Sequence, residues 1–358
     1  MKVLNATAAP TTTTYDSSTL PSYSLYPRPA LFSNITDFHL SLLLPVLAYW
    51  VLSLFYALVS YFNLFSRHRI HTPIEFQNRN RARLRDVLRS VILQQVLQTT
   101  WGLFLGHIVL GTEEMIGRES YDLAIWNERV KMGVYWVGQT LELAIAILVV
   151  DSSGWKRGVS FPVQVNITTL DGESVVWESI LAKIIYWAVV PFIRFGIAIC
   201  FSDAWQYFWH RAMHENKWMY RNMHALHHRL YVPYAFGAFY NTLPEAFLLD
   251  TIGATLALFL SGLNTRQATM FSTISVLKGV DDHGGYKLPW NPLQWLGEQN
   301  TAFHDVHHQS WGQSTNYSQL YTTFWDHFCG TVSRKNREEI QGLYKKSQDD
   351  AENKEKET

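Results

Sequence analysis

The stretch FHLSLLLPVLAYWVLSLFYALVSYFNLF, residues 38–65, contains no aspartate, glutamate, lysine or arginine. A helix of this length covers the roughly 30 Å hydrocarbon core of a bilayer. The stretch is too long, and lies too far from the N-terminus, to be a cleavable signal peptide. Further runs with few charges follow at 90–112, 133–150, 184–202 and 246–277. The sequence therefore predicts an all-α, polytopic membrane protein.

Charged residues inside the later runs limit how far these segments can be exposed to lipid. Glu142, Arg194 and Asp250 would each be costly at the centre of a bilayer, so the helices that carry them should pack on protein or lie near the interface. The predicted organisation begins with a disordered luminal N-terminus (1–36) and a transmembrane region (37–202), which has spans near 38–66, 90–112 and 184–202 and an interfacial or re-entrant helix at 133–150. A histidine-box catalytic domain (203–332) follows, with an apolar hairpin near 246–277. The chain ends in a charged cytosolic tail (333–358), which we expect to be solvated and frayed.

The loop after the first span sets the predicted orientation. Between residues 67 and 89, seven arginines outnumber two acidic residues. By the positive-inside rule this loop is cytosolic and the N-terminus is luminal, which makes the sequon at Asn34 a luminal glycosylation site. An even number of crossings then keeps the later histidine motifs in the cytosol. For this reason residues 133–150 are predicted not to cross, and the sequon at Asn166 is predicted to be luminal.

Histidines cluster in the last part of the chain: ten of the 14 lie between residues 210 and 327. Eight of them form three motifs, HRAMH at 210–214, HALHH at 224–228 and HDVHH at 304–308. Histidines three or four residues apart share one face of a helix, so their imidazoles can reach the same metal ion. Eight imidazoles suit two metal ions better than one, and His283 in DDHGGY is a plausible ninth ligand. The predicted metal ligands are His210, His214, His224, His227, His228, His283, His304, His307 and His308.

Other residues near these motifs could support the ligands or bind a substrate. Ligand histidines usually donate their second N–H to a carboxylate or a carbonyl. The candidates for this supporting role are Asp203, Asp281, Asp282 and Asp305, with His327 as a core or supporting histidine. Candidates for contact with a substrate are Tyr231, Tyr234 and Phe236, with Asn241 and Glu245 near its polar head group. Ordinary packing or solvation is the alternative for each.

Together the motifs resemble the fatty acid hydroxylase/sterol desaturase superfamily of integral membrane di-metal oxygenases, whose histidine cluster faces the cytosol. The stretches DAWQYFWHRAMH (203–214), YVPYAFGAFYNTLPEAFLLDT (231–251) and VDDHGGY (280–286) are similar to those of fungal and plant sphingolipid hydroxylases that act at carbon 4 of the sphingoid base. The resemblance covers residues 184–330, and residues 113–183 look like an addition to the family pattern.

This resemblance implies two iron ions, O₂ and a membrane lipid substrate, although the same imidazoles also bind zinc. Fused heme domains of the superfamily carry a His-Pro-Gly-Gly motif, and none occurs in this sequence. Electrons are therefore expected from a separate cytochrome b5-type donor and an NAD(P)H reductase. The resemblance also implies an endoplasmic reticulum membrane, where other sphingolipid enzymes are candidate partners. Lys354 and Lys356 in the C-terminal KEKET resemble a dilysine retrieval signal for that membrane.

Other function classes fit less well. A net charge of zero gives no indication of a nucleic-acid partner, and two cysteines, Cys200 and Cys329, form neither a disulfide framework nor a thiolate metal site. A sterol carbon-4 methyl oxidase is the alternative within the same superfamily. A histidine-rich metal transporter is the alternative of another class, but the histidines avoid the middles of the apolar spans, where a transport path needs its polar groups. A heme protein would use two to four of the histidines and leave the others unexplained.

Overall fold

The computed structural model describes residues 26–110, 116–117, 119–149, 166–168, 174–295 and 297–356. The α-helices are α1 (Asp37–Tyr61), α2 (Pro73–Arg79), α3 (Leu84–Phe104), α4 (Glu119–Val149), α5 (Trp177–Ile184), α6 (Val190–Glu215), α7 (Lys217–Met219), α8 (Leu243–Glu245), α9 (Gly253–Ser261), α10 (Thr265–Asp282), α11 (Thr301–His308), α12 (Phe324–Cys329) and α13 (Arg337–Lys356). Short π-helical segments extend several of them, at 105–110, 185–189, 220–224 and 246–252. The strands form two small antiparallel ladders, β1 (Tyr26–Pro27) with β2 (Ile116–Gly117) and β3 (Asn166–Thr168) with β4 (Ser174–Val176).

Within the described residues, three continuous helical stretches are long and apolar enough to cross a membrane: Asp37–Tyr61, Trp177–Glu215 and Leu243–Ser261. The prediction of a mainly helical protein with membrane-spanning helices is confirmed. Helix α3, which contains most of the predicted span at 90–112, is not among the three; its middle carries the glutamines Gln94, Gln95 and Gln98. The orientation of these helices in the membrane remains a prediction.

The described residues divide into two compact units. One lies within Met1–Arg28 and Ile116–Pro191, and the other within Pro29–Met115 and Phe192–Thr358. In the first unit α4 packs against α5, and the Arg28 guanidinium forms an ion pair with Glu119 at 2.5 Å. The predicted helix at 133–150 belongs to α4, except for residue 150, which lies outside the described residues. Every predicted metal ligand belongs to the second unit.

Helix α1 supports the second unit by packing along α10. The Tyr49 hydroxyl donates to the Phe236 carbonyl at 2.8 Å, and the Tyr56 hydroxyl donates to Asp281 at the end of α10. Gly284 lies directly over the Tyr56 ring, where an added Cβ would approach a ring carbon to 2.8 Å. Both tyrosines and Asp281 are buried, so the first predicted span holds the turn that carries His283.

The C-terminal segment is not the frayed tail that its charge predicts. Helix α13 packs against α2, and three of its residues make hydrogen bonds with other parts of the unit. The Tyr344 hydroxyl donates to Asp305 at 2.5 Å, and the Ser347 hydroxyl donates to Glu75 at 2.8 Å. The Ala351 carbonyl accepts from the Asn78 amide at 3.1 Å. Ser347 and Ala351 thus attach the helix to α2, and Tyr344 attaches it to α11, which carries the third histidine motif.

The attachment of α13 should depend on pH through a buried His71. Its ring nitrogens lie 3.1 Å from Glu75 and 2.9 Å from Asp305. Burial alone would lower the pKa of His71, but the two carboxylates outweigh it and raise the pKa from 6.5 to about 9. Burial likewise opposes ionisation of Glu75, yet His71 and neighbouring donors lower its pKa from 4.5 to about 2. The pair is therefore ionised at neutral pH.

The raised pKa of His71 stabilises the fold fully below 6.5, and this contribution is lost as the pH rises through about 9. The contribution of Glu75 is present above 4.5 and is lost as the pH falls towards about 2. We expect hydrogen exchange in α13, corrected for its intrinsic rate, to accelerate as the pH rises from about 7 to 9. The variant His71→Gln should lose this pH dependence, and wild-type protection that stays constant over the range would contradict the assignment.

Candidate metal centre

All nine predicted ligands lie together, in two groups. The first group is His210, His214, His224, His228 and His307, and the second is His227, His283, His304 and His308. Within each group one ligand atom from every histidine lies within 4.8 Å of all the others. Only His214 is partly accessible, and the other eight side chains are buried. Groups of five and four imidazoles could each hold a metal ion.

The two H-x-x-H-H motifs divide their histidines in opposite ways. In the second motif His224 and His228 join the first group, whereas the middle His227 joins the second. In the third motif the outer pair, His304 and His308, joins the second group, and the middle His307 joins the first. Successive residues of a helix are about 100° apart, so two adjacent histidines cannot both face one ion, while histidines four apart can. Each H-x-x-H-H motif thus supplies histidines to both groups, which accounts for the occurrence of the same pattern twice in the sequence.

Local structure places these side chains. His210 and His214 are one turn apart on α6, and His283 is the C-cap of α10. Helix α11 begins at Asn300, whose side chain accepts hydrogen bonds from the backbone N–H groups of Ala302 and Phe303 at 3.0 and 3.3 Å. The second motif departs from the expected regular helix, since a π-helical turn ends at His224 and a 3₁₀ turn begins at His227.

The partners of the ring nitrogens indicate that unprotonated nitrogens lie next to each other. The Nδ1 of His210 lies 2.7 Å from the Tyr317 carbonyl, and the Nδ1 of His224 lies 2.5 Å from the Glu245 carboxylate. In a neutral imidazole a donating Nδ1 leaves a lone pair on Nε2. The two Nε2 atoms are only 3.0 Å apart. Two lone pairs at this distance repel each other unless a cation lies beside them, so the arrangement fits a metal ion.

His307 provides an independent test of the same fit. Its Nδ1 donates to the Thr315 carbonyl at 2.7 Å, while its Nε2 is buried and has no hydrogen-bond partner among the described residues. An unpaired buried acceptor is costly. A metal ion held by the first group would satisfy this nitrogen.

Burial keeps the imidazoles neutral. It lowers the pKa of His283 to about 4 and that of His307 to about 3. Burial and then repulsion from neighbouring histidines lower the pKa well below its ordinary value at His224, His227, His228, His304 and His308. Neutral imidazole is the form that binds metal, so the site can bind ions at neutral pH without first losing protons.

Backbone carbonyls and Glu245 take the role that the sequence assigns to four aspartates. The Nδ1 of His283 donates to the Gly279 carbonyl at 2.8 Å, and that of His308 donates to the Leu230 carbonyl at 2.8 Å. Glu245, predicted near a substrate head group, instead accepts from His224. Sequence reasoning could not find these carbonyls, because residue types do not show where a backbone oxygen points.

The predicted supporting residues make other contacts. Asp203 accepts from the Tyr321 N–H at 3.1 Å, Asp281 from Tyr56, Asp282 from Lys278, and Asp305 from His71 and Tyr344. His327, predicted to be a core or supporting histidine, has a side chain that is 55% exposed and pairs with Glu298 at 2.7 Å. It lies outside both groups, so it can serve as a control histidine in mutagenesis.

The four other predicted substrate residues follow the second histidine motif in the chain. Tyr231 packs under the Arg81 guanidinium at 5.2 Å, and Tyr234 packs edge-on against Phe76 at 5.0 Å. Phe236 lies beside Tyr49 in the core, and the Asn241 amide donates to Asp250 at 3.3 Å. Their contacts are those of packing residues, and a role in substrate binding remains a prediction.

Gly312 lies against the helix that carries the third motif. An added Cβ would lie 1.8 Å from the Val306 carbonyl oxygen, which belongs to the backbone between His304 and His307. Gly312→Ala should therefore displace α11 and cost roughly 1–3 kcal/mol of stability, with release of metal. Metal content and the thermal midpoint of the purified variant measure this effect. Gly342→Ala is the matched control, because nothing lies within 4 Å of a Cβ at that position; equal loss in both variants would contradict the account.

Comparisons with known proteins agree with this geometry. A profile of the Fatty acid hydroxylase family matches residues 195–331, which include all nine histidines. The sphingolipid C4-hydroxylase of Saccharomyces cerevisiae is 33% identical over 311 residues, covering 87% of this chain and 76% of the relative. This chain belongs to the fatty acid hydroxylase family.

Two further relatives cover most of the chain. The sphingolipid C4-hydroxylase of Schizosaccharomyces pombe is 37% identical over 81% of this chain and 87% of its own length. A very-long-chain aldehyde decarbonylase of Oryza sativa subsp. indica is 33% identical over 83% of this chain and 89% of its own length. No solved structure shows significant similarity to the chain.

Proposed function

We propose that this protein is a membrane-bound di-iron monooxygenase that hydroxylates carbon 4 of the sphingoid base. The substrate would be sphinganine or dihydroceramide, and the product phytosphingosine or phytoceramide. The observation that carries the proposal is the pair of buried, neutral histidine groups in a chain with membrane-spanning helices. The two fungal relatives, both named for this reaction, support the choice of substrate.

The reaction consumes O₂, two electrons and two protons; one oxygen atom enters a C–H bond and the other leaves as water. When bound, the two iron ions supply an oxidant strong enough for an unactivated methylene, which no side chain can provide. The nine histidines would hold the ions, and Glu245 and four backbone carbonyls orient five of them, His210, His224, His283, His307 and His308, so that their Nε2 atoms point inward. Burial of the site excludes water from the reacting position.

The cellular setting is part of the proposal. We infer that the protein resides in the endoplasmic reticulum membrane with its histidine groups facing the cytosol, where a cytochrome b5-type donor and an NAD(P)H reductase supply electrons. The basic loop at 67–89 supports this orientation. Glycosylation mapping at Asn34 and Asn166 tests it, since both sequons should be modified if they are luminal.

Lipid mass spectrometry tests the function. The chain is expressed in cells that lack carbon-4 hydroxylated long-chain bases, beside the double variant His227→Ala/His228→Ala and the control His327→Ala. We expect trihydroxy bases with the wild type and with His327→Ala, and none with the double variant. If trihydroxy bases are absent and sterol intermediates change, a sterol oxidase replaces this proposal. If fatty aldehydes change instead, the reaction named for the rice relative replaces it.

A further inference from the structure

An open depression of about 370 Å³ lies on the surface of the second unit, outside the histidine groups. Its lining contains three arginines, Arg81, Arg89 and Arg229, and one acidic residue, Asp86. All four side chains are exposed. Arg83 and Arg85, next to this lining in the sequence, are exposed as well. We call this surface the arginine depression; its charge is strongly positive.

The arginine depression lies next to the second histidine motif. Leu226, which contributes to the lining, lies between the ligands His224 and His227 in the chain. Arg229, also in the lining, directly follows His228. The lining residues Leu226 and Arg229 therefore flank His227 and His228, one from each histidine group, in the chain.

The backbone holds this surface in place. The Arg81 N–H donates to the Arg229 carbonyl at 2.8 Å, and Arg229 directly follows the ligand His228. The Ser90 hydroxyl donates to the Asn241 carbonyl at 2.6 Å. These bonds tie the basic loop and the start of α3 to the histidine-bearing segment, so the charges keep a defined position relative to the metal groups.

The proposed reaction needs two electrons from outside the metal centre, and the proposed function takes them from a separate donor protein. Electron transfer weakens steeply with distance, so a donor protein has to dock close to a metal ligand. An acidic donor fits the arginine depression by charge, and complementary charge raises the rate of encounter by about 10–10³-fold.

We propose that the arginine depression is the docking surface for an acidic electron-donor protein, which delivers electrons through the His227 side of the metal centre. This docking proposal rests on the proposed function, because it requires a monooxygenase that is reduced by a separate protein. It adds where the donor protein binds and which surface charge selects that donor. Three guanidinium groups against one carboxylate attract an acidic surface, and Leu226 and Leu243 provide apolar contact within the depression.

The test compares two charge-reversal variants of the full-length, iron-loaded enzyme in nanodiscs of neutral phosphatidylcholine. Arg89→Glu/Arg229→Glu alters the depression, and Lys345→Glu/Lys346→Glu makes the same change in net charge at exposed positions of α13. Binding of a soluble cytochrome b5 domain and the rate at which it reduces the metal centre are measured at low and high salt. Reduction by dithionite and iron content serve as controls for an intact site.

For the depression variant we expect at least about a tenfold weaker binding and slower reduction by cytochrome b5 at low salt, with the difference shrinking at high salt. Dithionite reduction and iron content should equal those of the wild type, and the α13 variant should behave as the wild type throughout. Equal effects in both variants would overturn the proposal. So would a defect that appears only in discs containing phosphatidylserine, because the depression would then bind the anionic lipid surface.

Loss of dithionite reduction in the depression variant would show a damaged metal site. The milder double variant Arg89→Gln/Arg229→Gln, which keeps side-chain polarity, then decides: wild-type donor binding in this variant would overturn the proposal. The readouts are donor binding and metal reduction, which do not depend on which lipid is hydroxylated. A wild type that is reduced by cytochrome b5 but makes no trihydroxy base would therefore refute the proposed substrate and leave the docking proposal standing.

Discussion

His228→Ala should abolish hydroxylation and lower the iron content from about two to about one per chain. The Nε2 of His228 lies 3.0 Å from that of His214 and 2.9 Å from that of His224, at the centre of the first group. Its ring also lies 4.9 Å from the rings of both His307 and His308, where the two groups adjoin. Removal of this imidazole takes away the ring whose Nε2 lies within 3.0 Å of two other ring nitrogens of the group.

The chain should still fold without this ring. Burial keeps the His228 ring neutral, so its loss removes no charge from the core and should affect metal binding far more than folding. Iron analysis and circular dichroism of the purified variant separate the two effects, and His327→Ala is the matched control. A His228→Ala protein with two iron ions and wild-type turnover would contradict the assignment of the first group.

Asp305→Ala should destabilise the second unit by about 3–5 kcal/mol, because it leaves the protonated His71 without one of its two buried carboxylates. Asp305 is 1% exposed and lies on α11 between the ligands His304 and His307. Its carboxylate accepts from His71, from Tyr344 at 2.5 Å and from the Gln309 amide at 3.2 Å. The loss should loosen α11 and accelerate the release of iron to a chelator.

Graded variants distinguish this ion pair from general damage. Tyr344→Phe removes one hydrogen bond to Asp305 and should cost only about 0.5–1.5 kcal/mol. Asp349→Ala removes an exposed carboxylate of α13 and should have no measurable effect. The midpoint of thermal unfolding and the rate of iron loss should follow the order Asp305→Ala, Tyr344→Phe, Asp349→Ala. Equal behaviour of Asp305→Ala and Asp349→Ala would show that the buried ion pair does not hold the third motif.

The histidine motifs allowed all nine candidate ligands to be predicted because spacing on a helix is a local property. The division into two groups could not be predicted. It depends on how α6, the turn around His227 and α11 pack against each other, and the second motif is not a regular helix. The repeated H-x-x-H-H pattern nevertheless contains the geometric reason, since its middle histidine points about 100° away from its neighbour.

The supporting contacts were the hardest part to predict. Four aspartates near the motifs matched the expected residue type, but their carboxylates pair with Tyr321, Tyr56, Lys278 and His71 instead of with ligand histidines. The role of α13 was missed because its high charge suggested solvation. Tyr344, Ser347 and Ala351 recur at helical spacing and form its contact face. That spacing was the available signal in a segment that composition alone describes as a tail.

Incorporation of ¹⁸O tests the central claim most directly. The purified, iron-loaded enzyme in nanodiscs is given dihydroceramide or sphinganine, cytochrome b5 with its reductase, NADPH and ¹⁸O₂, and the product is analysed by mass spectrometry. The account predicts a single new hydroxyl at carbon 4 that carries one ¹⁸O atom, in the wild type and in His327→Ala but not in His228→Ala. A carbon-4 hydroxyl whose oxygen comes from water, or the same labelled product from His228→Ala, would contradict it.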